Sequence, residues 1–178
     1  MSRLGLLFIC LCAIGCERET PPPPPTPTAG PLPERELHGL VMRQTSVSGL
    51  AWVLRAREGI STSAADPVEL RDMKVEFYDG GKQVRSTLTS KRGEIDSHAT
   101  TLLAQDSVVV VTADGDRLET ETLRWDPTRE RVTTQSFFRF HHGLDTVTGT
   151  GFDADPDLKS YVITKDVAAT TARSSTAM

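Results

Sequence analysis

LTSKRGEIDSHATTLLAQDSV (Leu88–Val108), LETETLRWDPTRERVTTQSFF (Leu118–Phe138) and VTGTGFDADPDLKSYVITKDV (Val147–Val167) lie over one another without a gap. In each, an apolar residue is followed eight positions later by Asp (Asp96, Asp126, Asp155). Six further on stands Leu102, Val132 or Tyr161, and six beyond that Val108, Phe138 or Val167. The period is about thirty residues, the length of one supersecondary unit. A unit this small cannot bury its own apolar face, so copies must stack and share an interior. Such stacking makes a long, repetitive surface rather than a compact pocket.

Around the repeat the chain reads as strands from Leu50 onward. Trp52, Leu54 and Ala56 alternate with polar neighbours, as do Val75 and Phe77, the period of two that sends successive side chains to opposite faces. Asp79-Gly80-Gly81, Asp114-Gly115-Asp116 and His142-Gly143 each divide two β-rich runs, as hairpin turns do. The aligned Asp96, Asp126 and Asp155 suit turns through side-chain to backbone hydrogen bonds. No long stretch has a helical period. Polar residues such as Arg117, Glu119, Glu121, Thr133, Thr134 and Gln135 read as a solvent face. Trp125, Phe140, Phe152, Tyr161 and one of Phe137 and Phe138 read as the apolar face. Aromatics make up only 6% of the chain, so the interior is built mainly of Val, Leu and Ile. The expected fold is all-β: stacked antiparallel hairpins forming a sandwich or opened roll. An unclosed roll leaves free edge strands at both ends, and these favour pairing with another protein.

The N-terminus indicates the compartment. Arg3 precedes an apolar run from Leu4 to Ile14 that closes on Gly15 and Cys16. About a dozen apolar residues are too few to span a bilayer as a helix but fit the core of a cleaved signal. Residues 1–15 read as a lipoprotein signal peptide, with Cys16 as the lipidated residue and Glu17 favouring retention at the inner membrane. The other cysteines, Cys10 and Cys12, leave with the signal, so the domain is held by its apolar core and not by disulfides. Residues 16–48 read as linker. Thr20 to Pro33 carries eight of the eleven prolines, and in polyproline II these fourteen residues reach roughly 40 Å. The folded domain is expected over 49–167, with a disordered tail at 168–178.

Twenty basic and 24 acidic residues give a net charge of −4, and loss of Arg3 with the signal makes it −5. With no basic block, nucleic acid is not an expected partner.

Four stretches resemble one family: WVLRA (Trp52–Ala56), VEFYDGGKQVRSTLTSKRGEID (Val75–Asp96), GDRLETETLRWDPTRERVTT (Gly115–Thr134) and GTGFDADPDLKSYVI (Gly149–Ile163). They are similar in order and spacing to the OstA-like β-jelly roll of the C component of the lipopolysaccharide transport (Lpt) bridge, from about Gly49 to Val167. The resemblance implies a non-enzymatic periplasmic carrier. It would receive lipopolysaccharide from inner-membrane ABC transporter subunits and pass it to the next periplasmic bridge protein, LptA-like. Similar proteins are anchored by one uncleaved helix, whereas this sequence offers a lipid on Cys16, on the periplasmic face of the inner membrane.

Acyl chains in water cost about 0.8 kcal/mol per exposed CH₂, so such a carrier needs an apolar trough. The candidates on the apolar face are Leu54, Val75, Phe77, Leu88, Leu102, Val108 and Val110, with Leu118, Val132, Phe138, Phe140, Val147, Tyr161 and Ile163 in the second half. The transporter is expected at an N-terminal edge strand bearing Trp52 and Leu54. The bridge protein is expected at a C-terminal edge bearing Tyr161, Ile163 and Val167.

Other chemistry finds little support. Asp153, Asp155 and Asp157 alternate as in a calcium loop, but Leu158 and Thr164 stand where an EF-hand needs Gly and Glu. His141 and His142 are neighbours on a strand and point to opposite faces. No Gly-x-Ser-x-Gly nucleophile elbow occurs. The expectation is therefore no catalytic residue, metal or cofactor. The competing function is a structural or adhesive envelope lipoprotein whose packed β-repeat carries no lipid.

Overall fold

A computed structural model of the chain describes residues 35–62, 67–96 and 101–171. Among the described residues every regular element is a strand. In chain order these are β1 (Arg35–Ser46), β2 (Gly49–Ser61), β3 (Val68–Gly80), β4 (Val84–Ile95) and β5 (Leu102–Thr112). β6 (Arg117–Asp126), β7 (Arg131–His142), β8 (Asp145–Ala154) and β9 (Tyr161–Thr171) follow. They form one nine-stranded antiparallel sheet in which each strand pairs with the next, leaving β1 and β9 as edges.

The thirty-residue repeat is the hairpin, one copy each in β4–β5, β6–β7 and β8–β9. Its aligned residues fall on common rows. One row runs across all nine strands through Met42, Leu54, Val75, Leu88, Val110, Leu118, Phe140, Val147 and Ala169. A second runs through Val68, Ile95, Leu102, Trp125, Val132, Ala154 and Tyr161. Between the rows the strands bend, because the pairing slips at Thr89/Arg92, Gln105/Val108, Thr120/Arg124, Thr134/Phe137 and Thr148/Thr150. Left-handed residues stand at the same level: Gly39, Asp72, Asp106, Ser107, Gly151 and Asp166. Bulges of this kind bend a strand and tighten its twist. The bend folds the sheet upon itself, so that the two rows face each other. The Phe140 ring lies 5.2 Å from Tyr161, and Trp52 meets Trp125 edge-on at 5.2 Å.

The roll is thus the expected all-β jelly roll with open edges. The expected turns at Asp79–Gly81, Asp114–Asp116 and His142–Gly143 all separate consecutive strands or stand at their ends. The aligned aspartates cap the opposite end. Asp126 Oδ1 accepts the N–H groups of Thr128 and Arg129 at 2.9 and 3.2 Å, and Asp155 Oδ1 accepts that of Ser160 at 3.1 Å. Asp96 ends at the equivalent place, its N–H donating to Thr101 O at 3.1 Å.

Two boundaries are corrected. The expected linker to residue 48 is shorter, because Arg35–Ser46 forms β1. That strand is exposed on most of both faces, with only Leu40 and Met42 partly buried, so it shows no alternation and owes its conformation to pairing with β2. At the other end β9 runs on to Thr171, past the expected limit of 167. The signal, Cys16 and the proline-rich stretch lie outside the described residues, as do 172–178.

Candidate functional site

The inward side of the folded sheet is mainly apolar, with Ser86, Ser90, Thr112, Thr120 and Thr134 as buried polar side chains. Of the trough candidates, all except Val147, Tyr161 and Ile163 are at most 2% exposed. Val147 and Ile163 are partly buried against the core, and Tyr161 is 40% exposed. The expected trough is therefore closed in this structure: its two walls pack on each other as one core. Phe138 is the inward member of its pair at 0% exposure while Phe137 is 59% exposed, and the alternation of β7 keeps one phase through Val132, Thr134, Phe138 and Phe140 across the slip between Thr134 and Phe137.

Sequence reasoning left several interior residues out. Leu70, Met73, Ile95, Ala104, Leu123 and Ala154 are all buried. Leu70, Ile95, Leu123 and Ala154 lie beyond a bend at which the alternation restarts in a new phase, whereas Met73 and Ala104 keep the phase of Val75 and Val108 and were readable from the alternation. Leu158 is 1% exposed although it sits in the β8–β9 loop, held there at a left-handed φ of 56°. No periodic signal marks a loop residue of that kind.

Among the described residues a cavity of about 570 Å³ forms a mouth where the β1–β2 and β6–β7 turns meet Gly80 and Pro156. Ala51, Trp52, Phe77, Tyr78, Trp125 and Pro127 supply its apolar wall, and Arg85 is the basic residue among its lining. Trp125 makes edge-on contacts with Trp52 and Phe77 at 5.2 and 5.1 Å. The buried Trp125 Nε1 and Arg85 Nε have no hydrogen-bond partner among the described residues. At the β9 side, Phe140, Phe152 and Tyr161 form a second aromatic group, with Phe152 and Tyr161 stacked at 5.4 Å.

The edges differ from expectation at the N-terminal side only. Trp52 and Leu54 stand on β2, one strand in from the edge and 3% and 1% exposed, so the N-terminal edge is β1. Tyr161, Ile163 and Val167 do stand on an edge strand, β9, where Tyr161, Val162 and Val167 are exposed.

Apart from Arg85 at the mouth, the ion pairs lie mostly at the surface. A hydrogen bond from Lys74, aided by Arg55, holds the Glu76 carboxyl below its ordinary range. Hydrogen bonds from Arg92 and Arg117 do the same for Asp106 and Glu119, while Asp72 and Asp106 raise Arg57 and Arg92. These are surface ion pairs and not a reactive cluster. Asp153, Asp155 and Asp157 are engaged separately: Asp153 takes Arg131 at 2.6 Å, Asp155 caps its loop, and Asp157 lies 3.8 Å from Arg85. His141 bonds Thr146 and His142 bonds Asp116, and among the described residues no group of three metal-ligating side chains converges.

The chain matches the family model of lipopolysaccharide-assembly, LptC-related proteins over residues 4–172. No curated protein matches it.

Proposed function

We propose, for a chain that belongs to the family of LptC-related lipopolysaccharide-assembly proteins, that its apolar interior takes up the acyl chains of lipid A during lipopolysaccharide transport. In this reading the protein is a non-enzymatic carrier. It is held by a lipid on Cys16 at the periplasmic face of the inner membrane, takes lipopolysaccharide from the ABC transporter at the β1 side, and hands it on to the next bridge protein from β9.

The observation that carries the reading is the apolar row from Met42 to Ala169, unbroken across nine strands and opposed by a second row on the other wall. A path of this kind runs from one free edge to the other. The closure of the walls does not oppose it. Separating them in water would expose apolar surface at about 25 cal/mol per Å², but acyl chains sliding between them replace apolar contacts with apolar contacts. The sugar and phosphate head stays in solvent.

The closed core equally suits the second reading, a structural envelope lipoprotein with no cargo. Photo-crosslinking in cells separates them. A photoreactive residue at Phe140 or Leu118 is expected to label lipopolysaccharide, and one at the outward Glu119 is not. Interior positions that yield no lipid adduct would leave the structural reading standing. For the anchor, Cys16→Ser is expected to release the mature protein from the membrane fraction and to abolish incorporation of labelled fatty acid.

A further inference from the structure

Three aspartates hold left-handed backbone positions inside strands, each where its strand bends: Asp72 on β3 (φ 49°), Asp106 on β5 (φ 63°) and Asp166 on β9 (φ 54°). Asp is among the few residues that tolerate this conformation. Two of the three meet an arginine from the preceding strand. Arg57 of β2 donates through Nε to Asp72 Oδ2 at 2.7 Å. Arg92 of β4 donates to both oxygens of Asp106, the longer bond being 3.3 Å. The two-pronged contact of Arg92 with Asp106 adds geometric specificity as well as attraction.

Asp166 repeats the position without the partner. Its carboxylate has no ion pair or hydrogen bond among the described residues, and it is exposed. On β8 the residue between the pairs Thr148–Ala168 and Thr150–Lys165 is Gly149. A side chain cannot be placed there: a Cβ at Gly149 would lie 2.9 Å from Lys165 O, 3.1 Å from Phe138 and 3.2 Å from Ile163. β8 itself carries no arginine, so the neighbouring strand inside the sheet supplies none. The one side left is the free edge of β9.

We infer that the strand which pairs with β9 belongs to another protein and carries an arginine at the position facing Asp166, completing at the interface the pair that Arg57–Asp72 and Arg92–Asp106 make within the chain. The inference rests on the reading of β9 as the pairing edge, and it adds the chemistry of the partner. A second copy of this chain fits poorly. The bend residue of its free strand β1 is Gly39, between His38 and Leu40, and a β9–β9 pairing would bring two Asp166 carboxylates together.

The test uses the full chain and the purified periplasmic bridge protein of the same export system, with dissociation constants measured at low and high salt. Asp166→Asn is expected to weaken binding roughly fivefold and to flatten its salt dependence, and Asp166→Arg to weaken it about tenfold or more. An Arg→Asp change in the partner at the facing position should restore binding to Asp166→Arg. Unchanged melting temperatures show that the variants are folded.

Val162→Pro and Ile163→Pro test the pairing itself, since adjacent residues of an edge strand alternate in the direction of their N–H groups and one of the two loses an outward donor. If a folded proline variant loses the partner while both Asp166 variants bind within twofold of wild type, the inference is overturned and the edge reading survives. If every variant binds as wild type does, both fail. A wild-type protein that instead dimerises through β9, crosslinking its own chain at Asp166, also overturns the inference.

Discussion

At the scale of single residues, the bends are held by small polar groups. Thr120, 7% exposed, donates to Phe137 O at 2.9 Å and lies 3.3 Å from Thr134 Oγ1. Thr120→Val keeps the shape but removes the hydroxyl donor to that carbonyl, while Thr134 Oγ1 keeps the Ser136 N–H at 3.0 Å, so a loss of about 1–3 kcal/mol is expected in urea unfolding. The outer pair Arg92–Asp106 gives a pH signature. Arg92 lowers the Asp106 pKa in the folded state, so the pair stabilises above the unfolded aspartate pKa of about 4 and the contribution is lost as pH falls through the lower folded value. Asp106→Asn should therefore melt below wild type at neutral pH and converge with it in acid. A gap that persists or widens in acid contradicts the assignment. Gly49 sits at φ 117° with its would-be Cβ 1.9 Å from Gly80 O. Gly49→Ala must push the β1–β2 turn off the β3–β4 turn and reshape the mouth, which the near-ultraviolet spectrum of Trp52 and Trp125 reports.

At the scale of elements, the hairpin repeat was legible because its three copies place like residues on like rows. Leu88, Leu118 and Val147 share one row, and Leu102, Val132 and Tyr161 share the other. Three things were not legible. A bulge leaves no composition mark, so Phe137 and Phe138 could not be told apart from the spacing. β1 is an edge strand with solvent on most of both faces, so it has no alternation to read. Leu158 is buried by a loop that folds over the mouth, with Ser86 Oγ donating to Pro156 O at 2.5 Å. The inward assignment of Phe138 has its own test. Phe138→Ala, emptying a site of 0% exposure, should cost about 3–5 kcal/mol in urea unfolding, whereas Phe137→Ala should change little, about 0.5 kcal/mol or less.

At the scale of the whole molecule, a sheet folded along its own bulges turns a short repeat into two facing apolar walls with a free edge at each end. Many of the inward-facing residues were legible in the sequence, but whether they line a space or fill one was not, because core and trough occupy the same face. Closed walls at rest and separation by lipid are compatible, since the interior is mainly apolar on both sides. The two tryptophans of the chain, Trp52 and Trp125, both border the mouth and are 3% and 4% exposed. Their emission therefore reports what lies between the walls. The most direct measurement of lipid uptake is their fluorescence on adding lipopolysaccharide with brominated acyl chains, beside the unbrominated lipid as control. Uptake predicts strong quenching by the brominated lipid alone, saturating with its binding; emission that stays unchanged while that lipid is bound would contradict it.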